Sequence, residues 1–296
     1  HQISPGWWVL LFKPQNYNPR IHNEAKGESM KIFKHWTAEK QRVRIQGSET
    51  ELTTYGGSNV SIDEAALRAK EKMEKVIRKI NGESDVFEDY EVEIREEILQ
   101  TVDDKTIITR NRYGAQVMNA ENLMFLDIDK PKASLGGFFK KSSPEQDKEK
   151  IFEMVRKLAA SPKYNGLAFR IYETFQGARV IVLGKEFNPT DRATLDMMNE
   201  FNCDTLYTTI CRKQGCFRAR LTPKPYRMKM KAYKVKYPRK TTDGAFESWL
   251  QSYERESRNY SVCRLVEQIG VSTFGATEAV RIHDEVTGVT FRQPLA

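Results

Sequence analysis

The chain has 296 residues, of which 39% are hydrophobic and 10% aromatic, and it carries a formal net charge of +8. This composition excludes a disordered polypeptide, because so many aromatic side chains require a folded core. The apolar run WWVLLF is far shorter than the roughly 20 residues that span a bilayer, so we expect no membrane segment and no secretory signal. Four scattered cysteines favour a reducing compartment, which predicts a cytoplasmic or nuclear protein.

The first third of the chain combines strand-like runs with one amphipathic helix. Residues 1–30 show no periodicity and are expected to form an irregular arm, whereas QRVRIQ alternates apolar and basic residues as a half-buried strand does. Ser61 and Glu64 have the spacing of a capping box, which predicts a helix that continues to Ile80. The predicted core face of this helix consists of Ile62, Ala66, Met73, Val76, Ile77 and Ile80.

The central region is predicted to contain two groups of antiparallel strands. TIITRN, RYGAQVMN and NLMFLDID are strand-like runs separated by turn signals, which predicts a meander. KIFEMVRKLAAS has helical spacing, and the runs AFRIYET and RVIVL that follow it flank the turn FQGA as a hairpin does. A further helix is expected from about Pro189 to Phe201.

The C-terminal residues are predicted to be mainly helical. FESWLQSYERES and YSVCRLVEQIG are expected to be helices, the second ending at Gly270, whereas RIHDEVTGVTF is expected to be a hairpin. The whole pattern predicts an α/β protein, more narrowly α+β, with an antiparallel sheet flanked by helices. We expect three regions: N-terminal α+β (1–105), a central region that carries the site (106–240), and a C-terminal helical region packed on it (241–296).

Two aspartates stand at the end of the apolar run from Leu123 to Ile128. Because side chains two apart in a strand point to the same face, Asp127 and Asp129 are expected to leave the sheet together. Such a pair suits one or two hard cations, Mg²⁺ or Mn²⁺, which in two-metal sites activate an attacking oxygen and steady a leaving phosphate. A strand that simply runs out into solvent is the alternative.

The turn of the predicted FQGA hairpin is a candidate phosphate site. Gly177 permits a tight turn that brings backbone N–H groups within reach of a phosphate, and Arg179 begins the returning strand. An ordinary surface hairpin with a glycine turn is the alternative.

The segment from Arg212 to Lys240 contains twelve Lys or Arg residues and no Asp or Glu. Such a one-signed stretch is typical of a surface that binds a polyanion, although a long solvated loop has the same composition. Arg218, Arg220 and Lys224 are candidate phosphate contacts, because guanidinium groups bind phosphate oxygens bidentately and lysine adds a compact charge. Interleaved aromatic residues predict a groove for nucleic acid. Its candidate contacts are Arg212, Lys213, Tyr226, Arg227, Lys229 and Lys231.

Four motifs follow one another in this chain: a strand ending in D-x-D, a hairpin with G-x-basic, an isolated Asp, and then R-x-R with a Lys. In this order the motifs resemble the catalytic core of the archaeo-eukaryotic primase superfamily, over about residues 110–230. The resemblance implies an RRM-like palm in which Asp127, Asp129 and a third acid, Asp204, bind the metal. It also implies phosphate contacts from Thr174 and Arg179, with Arg218, Arg220 and Lys224 reaching triphosphate or template.

The chain departs from the family's pattern at Arg179, which stands where the hairpin should carry a histidine. An arginine binds phosphate but does not act as a near-neutral acid or base. The leading prediction is a metal-dependent nucleotidyltransferase of primase-polymerase type, with DNA or RNA and nucleoside triphosphates as partners, in DNA replication or repair. The alternatives are a catalytically inactive nucleic-acid-binding module on the same scaffold, and a two-metal nuclease or phosphoesterase.

Zinc binding is a weaker interpretation of the cysteines. Cys211 and Cys216 have a spacing that structural zinc tolerates, and Cys263 with His283 would complete four ligands. Because these two residues lie far along the chain, buried free thiols are the expectation and structural zinc is not.

Overall fold

A computed structural model describes residues 30–45, 47–83, 92–130, 143–239, 244–271 and 277–296. Within these ranges the protein is a mixed α+β fold with antiparallel sheets and six α-helices, which confirms the predicted class. The strands are β1 (His35–Ile45), β2 (Ser48–Ser58), β3 (Glu97–Asp103), β4 (Thr106–Arg110), β5 (Gln116–Ala120), β6 (Met124–Asp129), β7 (Ala168–Thr174), β8 (Gly177–Leu183), β9 (Phe217–Arg220) and β10 (Cys263–Ile269). The helices are α1 (Ile62–Ile80), α2 (Pro144–Ala159), α3 (Arg192–Glu200), α4 (Thr205–Gln214), α5 (Gly244–Ser257) and α6 (Thr277–Thr287). The irregular arm predicted for residues 1–30 lies outside the described residues up to residue 29, and so does Lys240.

The sheet that positions the candidate site contains four antiparallel strands in the order β10, β7, β8, β6. β6 and β7 both pair with β8, so they run parallel to each other, and α2 connects them in a split β-α-β arrangement. α2 lies on one face, where Lys148 pairs with Glu173 of β7. α6 lies on the other face, where the ring of His283 is 5.0 Å from that of Tyr172. Because both faces are covered, the middle of β6 and β8 is apolar and buried.

A second antiparallel sheet has the order β3, β4, β5, β9. β4 and β5 pair as the meander prediction required, but β6 leaves them and joins β8 in the other sheet. The reason is that Met124, Phe125 and Leu126 are all buried, so β6 needs cover on both faces. β3 was not predicted, and two register shifts in its pairing with β4 interrupt its alternation.

The N-terminal described region is a long hairpin, β1–β2, with α1 packed against it. Ser61 caps α1 by accepting a hydrogen bond from the backbone N–H of Glu64, which confirms the predicted start. The predicted core face is wrong in part: Ala65, Ala69 and Met73 are buried, whereas Ile62 is 51% exposed. β2 approaches α1 so closely that a Cβ on Gly56 would lie 2.0 Å from the carbonyl oxygen of Ala65. Only glycine therefore fits at position 56.

Two C-terminal predictions are wrong. The run YSVCRLVEQIG forms β10 instead of a helix, because it pairs with β7 and a bulge between Leu265 and Glu267 breaks its strand periodicity. The run RIHDEVTGVTF belongs largely to α6 instead of a hairpin, and Gly288, at φ +71°, follows the last helical residue. β10 therefore connects the region 241–296 to the central sheet, and the predicted boundary at 105 falls in the turn between the paired strands β3 and β4.

All four cysteines are buried free thiols, as predicted. Burial raises the pKa of each of them, which disfavours the reactive thiolate. None of the helices within the described ranges has the length and apolarity that a membrane span requires.

Candidate metal and phosphate site

Three aspartates from two segments of the chain meet at one end of β6. Asp127 and Asp129 lie two residues apart on this strand and leave it on the same side. The backbone N–H of Asp204 donates a hydrogen bond to the carbonyl oxygen of Asp127, at 2.9 Å. The residue before it, Cys203, exchanges hydrogen bonds of 3.3 Å with the backbone of Asp127. These contacts hold the start of α4 against the strand that carries the other two acids.

Asp204 is placed by its role as the N-cap of α4. Its Oδ1 accepts a hydrogen bond from the backbone N–H of Tyr207 at 2.7 Å, which stabilises the first turn. The hydroxyl of Tyr207 donates to the carbonyl of Phe125 on β6. α4 was not predicted from the sequence, although its signals were present: Asp204 caps the start and Gly215, at φ +67°, follows the end.

The acids repel one another. Burial raises the pKa of Asp129, and the negative charges of Asp127 and Asp204 raise it further, whereas Lys224 and Arg227 oppose the shift. Across the described residues, no three His, Cys, Asp or Glu side chains form a ready-made metal cage. Magnesium in phosphate-transfer sites is commonly held by one or two carboxylates together with substrate phosphates. A cation at this position would therefore need further ligands, such as the oxygens of a bound phosphate.

Arg179 lies directly opposite Asp127 in the pairing of β8 with β6. Its side chain is only 5% exposed. Its Nη1 donates to the carbonyl oxygen of Arg220 at 2.9 Å and contacts Nε2 of His283 at 3.2 Å. Both partners are neutral acceptors, and no carboxylate in the described ranges forms an ion pair with Arg179.

Arg220 adds a second cation beside Arg179. Burial, followed by repulsion from Arg179 and Arg227, lowers the pKa of Arg220 to about 10, while Asp127 opposes the shift. Its Nη1 donates to the carbonyl of Thr222 at 3.2 Å. Like charges held this close destabilise the folded chain unless an anion compensates them. Asp127 compensates this repulsion in part, and a bound phosphate would compensate it further.

The short 3-10 turn Pro225–Met228 brings further cations to the acids. Lys224 and Arg227 are close enough to stabilise the charged form of Asp129. They also lower the pKa of Tyr226, although its partial burial acts in the opposite direction. Nη2 of Arg227 donates to Oε1 of Gln176 at 2.9 Å, which connects this turn to the β7–β8 hairpin.

Three predicted basic contacts lie elsewhere. Arg218 forms an ion pair of 2.7 Å with Glu96, so its charge is already compensated. Arg212 and Lys213 lie in the last turn of α4, about 12 Å along the helix from Asp204 at 1.5 Å per residue. The ion pair of Arg218 could not be predicted from residues 212–240, which contain no acid, because Glu96 lies in a distant segment of the chain. The exposed Lys229 and Lys231 follow the turn Pro225–Met228.

Gly177 and Thr174 bind each other in the hairpin turn. The backbone N–H of Gly177 donates to Oγ1 of Thr174 at 3.1 Å, so this donor is already used. A Cβ on Gly177 would lie 2.0 Å from the carbonyl oxygen of Ile128. Glycine is therefore needed there for the close approach of β6 and β8.

Sequence reasoning missed the histidine that supports Arg179. His283 was considered only as a zinc ligand, but it is fully buried on α6, beside β8. Its Nδ1 lies 2.9 Å from Oδ1 of Asp284, which also accepts a hydrogen bond from the hydroxyl of Tyr172. The available signal was a helical stripe of apolar residues, Ala279, Ile282 and Val286, that includes His283.

Comparison of the chain with protein-family models, with curated proteins and with solved structures gives no match in any of the three. The function is therefore inferred from the geometry and the charges of this site.

Proposed function

We propose that this protein is a metal-dependent nucleotidyltransferase of primase-polymerase type that acts on DNA or RNA. The observation that carries the proposal is the meeting of Asp127, Asp129 and Asp204 at the end of β6, beside a group of arginine and lysine side chains. Carboxylates for metal and cations for phosphate are the two requirements of phosphoryl transfer, where catalysis is mainly positioning and electrostatics.

The topology supports the same proposal. The elements β6, α2, β7 and β8, with β8 between β6 and β7, form the split β-α-β unit with which an RRM-like palm would begin. In that interpretation the acids lie at the end of the first palm strand, and the hairpin β7–β8 carries Arg179 next to it. β10 occupies the far edge beside β7.

Each part of the site has a distinct role in the proposed reaction. Asp127, Asp129 and Asp204 would hold Mg²⁺ or Mn²⁺, and the bound metal would activate the attacking 3′-hydroxyl and neutralise phosphate charge. Arg179 and Arg220 bind phosphate oxygens of the nucleoside triphosphate, and Lys224 adds a compact charge. The 3′-oxygen forms a bond to the α-phosphorus as the bond to the pyrophosphate breaks, and the cations stabilise the departing negative charge.

The test is incorporation of labelled nucleoside triphosphates on DNA and RNA with Mg²⁺ or Mn²⁺. Asp127→Asn with Asp129→Asn should abolish incorporation, and so should Asp204→Asn, which keeps an N-cap because asparagine caps as well as aspartate. Asp191→Asn is the matched control, since Asp191 is also an N-cap but makes no capping hydrogen bond. Full incorporation by the double variant would refute the proposal, and cleavage of the strands instead would identify a two-metal nuclease.

A second candidate is a catalytically inactive nucleic-acid-binding module. It is favoured by the burial of Arg179 and by its hydrogen bonds to Arg220 and His283, which give a fixed cation where the family has a histidine. For this candidate we expect an affinity for nucleic acid that falls steeply with salt and is unchanged by EDTA. We also expect no turnover of nucleoside triphosphates.

A further inference from the structure

Two exposed aromatic rings lie close to Arg227. Phe175, in the β7–β8 turn, is 46% exposed, and Tyr226 is 63% exposed. The guanidinium carbon of Arg227 is 4.4 Å from the centre of the Phe175 ring and 5.9 Å from that of Tyr226. We call this surface, formed by Phe175, Arg227 and Tyr226, the aromatic platform.

The aromatic platform is built by two segments that the fold fixes together. The hydrogen bond from Arg227 to Gln176 joins them, and Nε of Arg227 is buried with no hydrogen-bond partner among the described residues. The platform also adjoins the acids, because the carbonyl of Gln176 accepts from the N–H of Lys130, the residue after Asp129. Asp129 itself pairs with Gly177 across the strands.

We propose that the aromatic platform stacks an unpaired nucleobase of a single-stranded nucleic acid, a proposal that rests on the nucleic-acid site described above. Aromatic side chains and guanidinium planes stack on any base, and such contacts are independent of sequence. The exposed Lys229 and Lys231 continue from the platform as phosphate contacts. A base inside a duplex has both faces covered by its neighbours, so the platform selects single strands.

The test is equilibrium binding of a labelled oligonucleotide of about 12 nucleotides, within the range that one single-strand site covers. EDTA is present and triphosphates are absent, so the result does not depend on catalysis. Phe175→Ala and Tyr226→Ala should each weaken binding about tenfold, as expected for one stacked base, with an unchanged salt dependence. Phe175→Trp should retain the wild-type affinity, because it keeps a stacking face.

Phe291→Ala is the matched control, because Phe291 is 47% exposed but lies after α6, outside the platform. A strand that lacks bases but keeps its phosphates should bind wild type and Phe175→Ala equally. A duplex should also bind both equally. The proposal would be overturned if both alanine variants bound the single strand as tightly as wild type does. It would also be overturned if they lost equal affinity for duplex and single strand. Neither outcome bears on nucleotide incorporation, so failure of the platform is distinguishable from failure of the proposed function.

Discussion

Arg179 donates a hydrogen bond to the imidazole of His283, and this neutral ring takes the place that a carboxylate usually has beside a buried arginine. Burial lowers the pKa of His283 to about 4, and Arg179 lowers it too, although Asp284 opposes both effects. Nδ1 of the neutral ring therefore donates a hydrogen bond to Asp284, and Nε2 accepts a hydrogen bond from Arg179. His283 therefore orients the guanidinium group of Arg179 without forming an ion pair with it.

Replacement of His283 tests this orientation. His283→Leu removes the acceptor of Arg179 and should weaken binding of a nucleoside triphosphate about tenfold, the value of one charged hydrogen bond. His283→Gln restores an acceptor and should recover most of the affinity. Calorimetric titration in EDTA measures both, and circular dichroism checks that each variant folds. Equal affinities for the two variants would contradict the role of the imidazole as an acceptor.

The same histidine should make the fold sensitive to acid. Its folded pKa of about 4 lies below the ordinary value of 6.5, so its contribution is complete above pH 6.5 and is lost as the pH falls towards 4. The loss should reach about 3 kcal/mol of unfolding free energy, from 1.36 kcal/mol per pKa unit. Urea denaturation between pH 7 and pH 4 measures it, and His283→Gln should lose less stability over that interval. If the unfolding free energies of wild type and His283→Gln fell equally with pH, His283 would not be the cause of the acid sensitivity.

The sequence predicted the parts of the site that depend on local spacing. The alternation of side chains along NLMFLDID predicted that Asp127 and Asp129 lie on one side of a strand, and the structure contains that strand. Asp204 was associated with them only through a resemblance, because a backbone hydrogen bond between residues 77 positions apart leaves no mark on the sequence. Pairings made in space, such as Arg218 with Glu96 and Arg179 with His283, were out of reach for the same reason.

The errors at the C-terminus also have a physical cause. Val262, Leu265, Val266 and Ile269 have helical spacing, and a strand with a bulge between Leu265 and Glu267 produces the same pattern. The run RIHDEVTGVTF was predicted to be a hairpin, whereas Gly288 follows the end of α6 in the left-handed conformation. Local patterns were ambiguous at both positions, and the pairing of β10 with β7 decided between them.

Substitution of Gly177 should destabilise the fold. A Cβ at this position would lie 2.0 Å from the carbonyl oxygen of Ile128, so Gly177→Ala must separate β6 from β8. We expect a loss of about 3 kcal/mol, the upper part of the range for overpacking. Gly244→Ala is the control, because a Cβ there meets nothing within 4 Å. Urea denaturation of both variants measures the difference, and equal stabilities would contradict the close approach of the strands.

Arg218 and Arg220 lie two residues apart on β9, but their environments predict opposite phenotypes. Arg218→Gln leaves the partly buried Glu96 without its partner, so we expect a loss of about 1–3 kcal/mol of stability with unchanged affinity for single-stranded nucleic acid. Arg220 has no carboxylate in ion-pairing range within the described chain, so Arg220→Gln should weaken binding and reduce the salt dependence by about one phosphate contact. Urea denaturation and binding titrations at several salt concentrations separate the two effects. Adding Glu96→Gln should recover the stability lost in Arg218→Gln, and a change of salt dependence in Arg218→Gln would show instead that Arg218 contacts phosphate.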